Sequence, residues 1–327
     1  MILAGDIGGT KTILALFEET PSGLRQVHEQ LFKSAAYDSL RAVVQVFVEG
    51  QPNLKLRAAC FGVAGVVADG EARATNLKWD VKESVLAALL SGVKVRLLND
   101  LVATACGVPH LTAGDTEILN PGRSGRPGNI AVIAAGTGLG EAALVWDGHG
   151  YLPMATEGGH ADFAPRDERE CDLLRYLQAS VGGRVSYERV LSGPGFYNIY
   201  CFLRDRGYAP EPAWLRERIA AEPDPSATVS MAGMRGEAEL AVMTLELFAS
   251  LYGAEAGNLA LRMLALGGVY VAGGIAPKVL PALRGGGFMR SFLAKGRFAA
   301  MLSEIPVKVS LNPRTALIGA AHFALTL

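Results

Sequence analysis

The sequence predicts an α/β fold in two domains, and three observations carry that expectation. The chain has 327 residues, more than one core usually serves. Half of the residues are hydrophobic and 39 are glycine, which suits a compact α/β protein with many tight strand–helix turns. Apolar strand-like runs alternate with amphipathic stretches, the pattern of mixed sheets with helices packed on them.

Residues 2–7 are apolar, a glycine turn follows, and KTILALF (11–17) is apolar again, so two strands are expected around that turn. A helix is expected over 38–49, where Leu40, Val43, Val44, Phe47 and Val48 form one stripe. RAACFGVAG (57–65) reads as a buried strand. WDVKESVLAALLSG (79–92) reads as a helix with Asp80 as its cap and Gly92 at its end. VKVRLLNDLVATACG (93–107) runs from a strand into a helix, with Asn99 and Asp100 at the junction. NIAVIAAGTGLGEAALVW (129–146) repeats the strand–turn–strand pattern of residues 2–17, which points to two similar units. An amphipathic helix is expected over 167–180, with RDERE (166–170) as its solvated N-terminus, favoured by the helix dipole. Another follows SGPG (192–195), with Pro194 in its first turn and Gly207 past its end. Residues 207–235 hold Pro210, Pro212, Pro223 and Pro225 and read as an irregular excursion. A long helix over 236–264 is followed by a buried strand in GGVYVAGGI (267–275), a glycine turn and a helix. A strand over 306–310 and a helix over 314–326 complete the chain.

Composition excludes several classes. A net charge of −1 gives no electrostatic case for nucleic acid or an anionic membrane. The opening MILAGDIGG lacks a basic region and Asp6 interrupts its apolar run, so it is not expected to be a signal peptide. The most apolar region, 238–276, carries Glu239, Glu246, Glu255 and Arg262, against a membrane span. Cys60, Cys106, Cys171 and Cys201 are too scattered for CxxC-type zinc or redox chemistry and are expected to be reduced core residues. A soluble cytoplasmic protein without disulfides is expected.

Four stretches carry chemistry. GDIGGTKT (5–12) has the physics of a phosphate loop: Gly5, Asp6, Ile7, Gly8, Gly9 and Thr10 bring backbone N–H groups around an anion. Thr10 and Thr12 add hydroxyls, Lys11 a positive charge, and Asp6 a carboxylate for a Mg²⁺-bound water. An ordinary glycine-rich hairpin is the competing reading. AAGTGLGEA (134–142) is a second such turn through Gly136, Thr137 and Gly138; it fails G-x-G-x-x-G because Glu141 stands at the last glycine. VYVAGGIAPK (269–278) puts Gly273 and Gly274 where a flat ring can lie on backbone. EGGHADFAP (157–165) sets Glu157 and His160 around two glycines, as metal ligands, an acid–base pair, a grip on a polar substrate, or a structural turn. Asn99-Asp100 is by itself a common helix cap.

The three glycine turns, in this order, resemble the ATPase domains of the sugar kinase/Hsp70/actin superfamily. LNDLVATA (98–105), EGGHADFAP and SYERVLSGPG (186–195) narrow the likeness to bacterial glucokinases of the proteobacterial type, over the chain from Gly5 to NPRTALIGAA (312–321). The resemblance implies an actin-like (ribonuclease H-like) ATPase fold with an interdomain cleft. It implies a small domain of 1–105 plus 311–327 and a large domain of 106–310. It implies ATP with Mg²⁺, transfer to the 6-hydroxyl of glucose, and a homodimer. Asp6, Gly8, Gly9 and Thr10 match the first phosphate turn, Gly136, Thr137 and Gly138 the second, and Gly273 and Gly274 the adenosine turn. Asn99 and Asp100 match the sugar-binding pair, with Asp100 as the base; Glu157, His160 and Glu188 match further sugar ligands, and Asn76 is expected to line the pocket.

Alternatives remain beside it. Another hexose, such as mannose, glucosamine or an N-acetylated amino sugar, fits the same motifs. A sugar-sensing regulator would need a helix-turn-helix before the first strand, which is expected to start at Ile2. An ATPase without a sugar would not need Glu157, His160 and Glu188 together. Related kinases of the repressor/ORF/kinase group set a similar histidine beside a zinc-binding cysteine cluster; that cluster is missing here, so no structural zinc is expected.

Overall fold

The computed structural model describes residues 1–74 and 77–327. The chain divides into two units: Met1–Asp115 with Pro153–Ala155 and Asn312–Leu327, and Thr116–Leu152 with Thr156–Leu311.

In the first unit, β1 (Ile2–Ile7) and β2 (Lys11–Thr20) form an antiparallel hairpin with Ile7 opposite Thr12. β3 (Gly23–Lys33) extends it; of its residues only Phe32 is buried, so no apolar run announces this strand. α1 (Leu40–Glu49) lies where the stripe predicts, capped by Ser39, whose Oγ accepts from Ala42 N at 3.2 Å. β4 (Ala58–Val63), fully buried, runs parallel to β1. A small sheet of β5 (Gly65–Ala68), β6 (Glu71–Ala74) and β7 (Asp80–Lys82) follows.

Asp80 is therefore not a helix cap. Asp80-Val81-Lys82 alternates exposed, buried, exposed and pairs with β6, which places it in a strand. The helix α2 spans only Glu83–Leu89, and Glu83 Oε1 accepts from Leu97 N at 2.9 Å in the strand beyond it. That strand, β8 (Lys94–Asn99), runs parallel to β4 and passes straight into α3 (Asp100–Gly107).

The second unit opens with β9 (Thr116–Asn120), then the hairpin β10 (Ile130–Ala135) and β11 (Leu139–Trp146); β12 (Tyr151–Ala155) follows, its residues Pro153–Ala155 counted with the first unit. α4 (Glu168–Val181) and α5 (Gly193–Asp205) follow. Glu170, expected on a solvated helix start, is 1% exposed; it accepts from Arg166 N at 2.8 Å and pairs with the Arg166 guanidinium. The 207–235 excursion is not irregular: it holds α6 (Ala213–Ala221) and α7 (Pro225–Met234). Pro212 caps α6 and Pro225 opens α7, positions that need no proline N–H.

α8 (Glu239–Met263) runs through the core and is buried on nearly every side. β13 (Gly268–Ala272), α9 (Leu280–Arg284), α10 (Gly287–Leu293), α11 (Ala299–Ser303) and β14 (Val307–Ser310) complete the unit. The last helix, α12 (Thr315–Ala324), belongs to the first unit. It lies so close to α3 that a Cβ on Gly319 would stand 1.8 Å from Ala103 O.

The main sheets read β3-β2-β1-β4-β8 and β12-β11-β10-β13-β14-β9. Their first five strands share one plan, a hairpin whose inner strand pairs in parallel with a further strand, which in turn pairs in parallel with the next, so the repeat expected from the two hairpins is present. Cys60 is buried, the other three cysteines are half-buried, and all four are unbonded. Among the described residues no helix is long and apolar enough to cross a membrane.

Candidate active site

In the first unit, parallel pairing sets Ile7, Val63 and Asn99 in register at one end of the sheet. The glycine turn and the Asn99-Asp100 junction therefore leave the sheet together, at the carboxyl ends of its parallel strands, where α/β sheets bind ligands. Gly8 N donates to Lys11 O at 2.9 Å across the turn. Thr12 does not face an anion: it is buried, and its hydroxyl shares a hydrogen bond with Ser34 Oγ at 3.0 Å. Ser34 Oγ in turn donates to Gly8 O at 2.8 Å, so Thr12 braces the turn from inside.

Asn99 is the helix cap. Its Oδ1 accepts from Leu101 N at 2.9 Å and Val102 N at 3.3 Å, and its Nδ2 donates to Gly65 O at 3.0 Å. Among the described residues this leaves one amide N–H for a ligand. Asp100 Oδ1 accepts a second, 3.0 Å bond from Leu101 N, and its side chain starts from the first residue of a capped helix. Burial, then the charge of Asp100, raise the Asp6 carboxyl to about 6, against the lowering influence of Arg314. Arg314 is itself held by Glu29 through bonds of 3.1 and 2.6 Å. Asn76 lies outside the described residues.

In the second unit, β10 and β13 are parallel neighbours with Ala134 opposite Ala272, so Gly136–Gly138 and Gly273–Gly274 leave the same sheet edge. Gly136 N donates to Gly138 O at 2.8 Å, and Gly193 N, at the start of α5, donates to Gly136 O at 2.8 Å. Gly273 has φ +82°, a conformation glycine adopts without strain, and Ile275 N donates to Ala135 O at 3.2 Å.

Gly158–His160 forms a short 3-10 turn, preceded by Glu157, and packs against β11 at Leu139 and Glu141. Thr156 Oγ1 donates to Glu141 O at 2.9 Å and accepts from Gly158 N at 3.1 Å. A Cβ on Gly159 would stand 2.0 Å from Leu139 O, so any larger residue would lift the turn. Tyr187 N donates to Ala161 O at 2.9 Å and ties this turn to the one bearing Glu188. Glu188 Oε2 accepts from Leu139 N at 3.0 Å, beside the second phosphate turn. The unit thus brings together Glu157, His160, Glu188 and Gly136–Gly138. Glu157 and His160 are exposed, and Glu188 is half-buried. Among the described residues no group of three or more His, Cys, Asp or Glu side chains is placed to hold a metal.

Sequence reasoning missed what lies under that turn. Glu141 entered only as the residue that breaks a glycine motif, and Glu255 and Arg262 only as charges in an apolar helix. Burial, then the charge of Glu255, push the Glu141 carboxyl up to about 8, against the lowering influence of Arg262. The available signals were an acid inside a strand of buried residues, and a carboxylate and a guanidinium seven residues apart on one helix face.

Residues 3–327 match the family model described as Glucokinase. The chain belongs to the glucokinase family. It is 45% identical over 334 residues to a glucokinase of Trichormus variabilis, covering 98% of each chain. It is 36% identical over 323 residues to a glucokinase of Psychromonas ingrahamii, covering 98% of this chain and 96% of that one. The crystal structure of a glucokinase from an Antarctic psychrotroph superposes with a TM-score of 0.89 at 30% identity, over 100% of this chain and 99% of that one. The fold is accordingly the actin-like ATPase fold of the glucokinase family.

Proposed function

We propose that this enzyme transfers the terminal phosphoryl group of ATP to the 6-hydroxyl of glucose, with Asp100 as general base. The observation that carries the reading is the second unit's joining of Glu157, His160 and Glu188 to the turn Gly136–Gly138, in a chain of the glucokinase family.

A hexose presents a ring of hydroxyls, each both donor and acceptor. Carboxylates at Glu157 and Glu188 accept from them, and a neutral His160 ring accepts on one nitrogen and donates on the other. The remaining Asn99 N–H donates to a sugar oxygen. Asp100 accepts the 6-hydroxyl proton as that oxygen attacks phosphorus. Because such transition states are loose, positioning and charge stabilisation contribute more than the base alone.

The residues present fit ATP. Beyond Gly136 and Gly274 no atom lies within 4 Å of where a Cβ would stand, so both backbones are open to close approach. Gly8, Gly9 and Thr10 take the phosphates in the first unit. Asp6, whose proton affinity burial and then the charge of Asp100 raise, favours a cation nearby and would hold a water of Mg²⁺. The ion would neutralise phosphate charge. We take the enzyme to work in the cytoplasm, as its scattered cysteines suggest, to be a homodimer, as the family resemblance implies, and to carry no structural zinc.

A coupled assay with a panel of sugars, with and without ATP, tests the reading. Glucose should give the highest kcat/KM, and 2-, 3- or 4-deoxy analogues should fall well below it, because polar groups that the bound sugar covers are then left unpaired. A higher kcat/KM for mannose, glucosamine or an N-acetylated amino sugar would overturn glucose as the substrate, and ATP hydrolysis indifferent to sugar would overturn the transferase.

A further inference from the structure

Beneath the Glu157–His160 turn the second unit buries two carboxylates side by side. Glu141 on β11 and Glu255 on α8 are 1% and 0% exposed. One guanidinium serves both: Arg262 Nη2 donates to Glu141 Oε2 at 3.3 Å and also to Glu255 Oε1. Asn258 donates to Glu255 Oε2 at 2.8 Å and to the Tyr187 hydroxyl at 3.1 Å, and accepts from Lys295 Nζ at 2.5 Å. Arg166, paired with Glu170, adds a further positive charge near Lys295. Among the described residues Glu141 Oε1 has no hydrogen-bond partner.

An acceptor-only carboxylate oxygen in that place would be an unsatisfied buried charge, which is expensive. A proton resolves it. A neutral Glu141 becomes a donor toward Glu255, and the pair then carries one negative charge against Arg262. Its elevated proton affinity agrees with this.

The cluster touches both turns assigned to the sugar. A Cβ on Gly158 would stand 2.1 Å from Glu141 Oε2, so the carboxyl lies directly against that backbone. Gly158 follows Glu157 and precedes His160 by two residues. At the other end, Tyr187 adjoins Glu188 and receives the Asn258 bond. We propose that Glu141 is a positioning residue for sugar binding: held by Arg262 and Glu255, its side chain supports Gly158 and so sets Glu157 and His160 relative to Glu188. The inference rests on the assignment of those three residues to the sugar.

The experiment compares steady-state kinetics of the parent with Glu141→Ala, Glu141→Gln, His160→Ala and the Glu141→Ala/His160→Ala double variant. Glucose KM and ATP KM are measured separately from about pH 6.5 to about pH 9.5. Glu141→Ala should raise glucose KM about tenfold or more and leave ATP KM within about twofold. Glu141→Gln keeps a neutral donor of the same shape, so at neutral pH its glucose KM should stay within about twofold of the parent. The parent's glucose KM should rise above pH about 8, as Glu141 ionises against Glu255, and Glu141→Gln should lack that rise. In the His160→Ala background the effect of Glu141→Ala should shrink, because both act through one turn.

A glucose KM within about twofold for Glu141→Ala, a glutamine variant as impaired as the alanine one, or the same alkaline rise in Glu141→Gln would each overturn the proposal. Where Glu141→Ala fails to fold, the pH comparison of parent and Glu141→Gln decides alone. If His160→Ala impairs glucose use while Glu141→Ala does not, the positioning role falls and the sugar assignment stands. If His160→Ala is neutral while Glu141→Ala raises glucose KM, His160 leaves the site and Glu141 acts through Glu157.

Discussion

The two units build the same device twice and use it differently. Each has a carboxylate pair moderated by one arginine: Asp6 and Asp100 with Arg314 in the first, Glu141 and Glu255 with Arg262 in the second. In each pair one acid stands on the hairpin, Asp6 on β1 and Glu141 on β11, and its partner belongs to a helix, Asp100 to α3 and Glu255 to α8. The difference is access. Asp6 and Asp100 are part-exposed at the carboxyl end of the sheet, whereas Glu141 and Glu255 are sealed beneath a turn. Burial is the larger influence on both raised carboxyls, Asp6 to about 6 and Glu141 to about 8, and the neighbouring carboxylate adds to each. A pair open to ligand can accept a substrate proton; a sealed pair can only keep one and hold backbone in place.

The largest test of that contrast is Asp100→Asn. Positioned general bases are typically worth about 10²–10⁴-fold, or about 2.7–5.4 kcal/mol of barrier. The variant should lose kcat by about two to four decades while ATP affinity and melting temperature hold. The helix start should survive, because Asn99 Oδ1 already accepts from both Leu101 N and Val102 N. A folded variant turning over within about tenfold of the parent would remove Asp100 from catalysis and erase the distinction between the pairs.

Much of this contrast was legible in the sequence, and the part that was not has a physical cause. The hairpins, the Asn99-Asp100 junction and the long apolar helix were readable because period and glycine placement are local. β3 was invisible because an edge strand with only Phe32 buried carries no apolar run. α6 and α7 hid behind prolines that sit at helix starts and so signal loops and helices equally. Thr12 looked like an anion donor because spacing does not tell the inward face of a strand from the outward one; Ser34, its partner, is twenty-two residues away. The Glu141 cluster was out of reach for the same reason on a longer scale: its members come from β11 and α8, and a motif scan treats each as an isolated charge.

A second test asks whether the first unit's half of the device depends on its helix backing. α12 lies against α3 through glycine, with Gly319 facing Ala103 O and Gly107 facing Thr315 O. In Gly319→Ala the new methyl has nowhere to go, since the obstacle is backbone. Overpacking of this kind costs about 1–3 kcal/mol or more. Thermal unfolding should fall accordingly, and limited proteolysis should cut first within residues 1–115. Unchanged melting would show that α3, which carries Asp100, does not rely on this contact.

The smallest expected effect separates the two pairs by pH. Glu141 rises from an ordinary 4.5 to about 8 in the folded chain, so between those values the folded state holds a proton that the unfolded state has released. Its contribution to stability is full below about pH 4.5 and is lost progressively as pH climbs to about 8. Asp6 behaves likewise only between 3.8 and about 6, so the interval from about pH 6 to about pH 8 belongs to Glu141. Glu141→Gln has no such proton to lose. Relative to that variant, the parent's melting temperature should fall across this interval, by at most about 1.4 kcal/mol per pH unit, a few degrees. Above about pH 9 the difference should level off, with both states ionised. A constant difference between parent and variant from about pH 6 to about pH 8 would mean that Glu141 is already charged in the folded chain, and that the sealed pair keeps no proton.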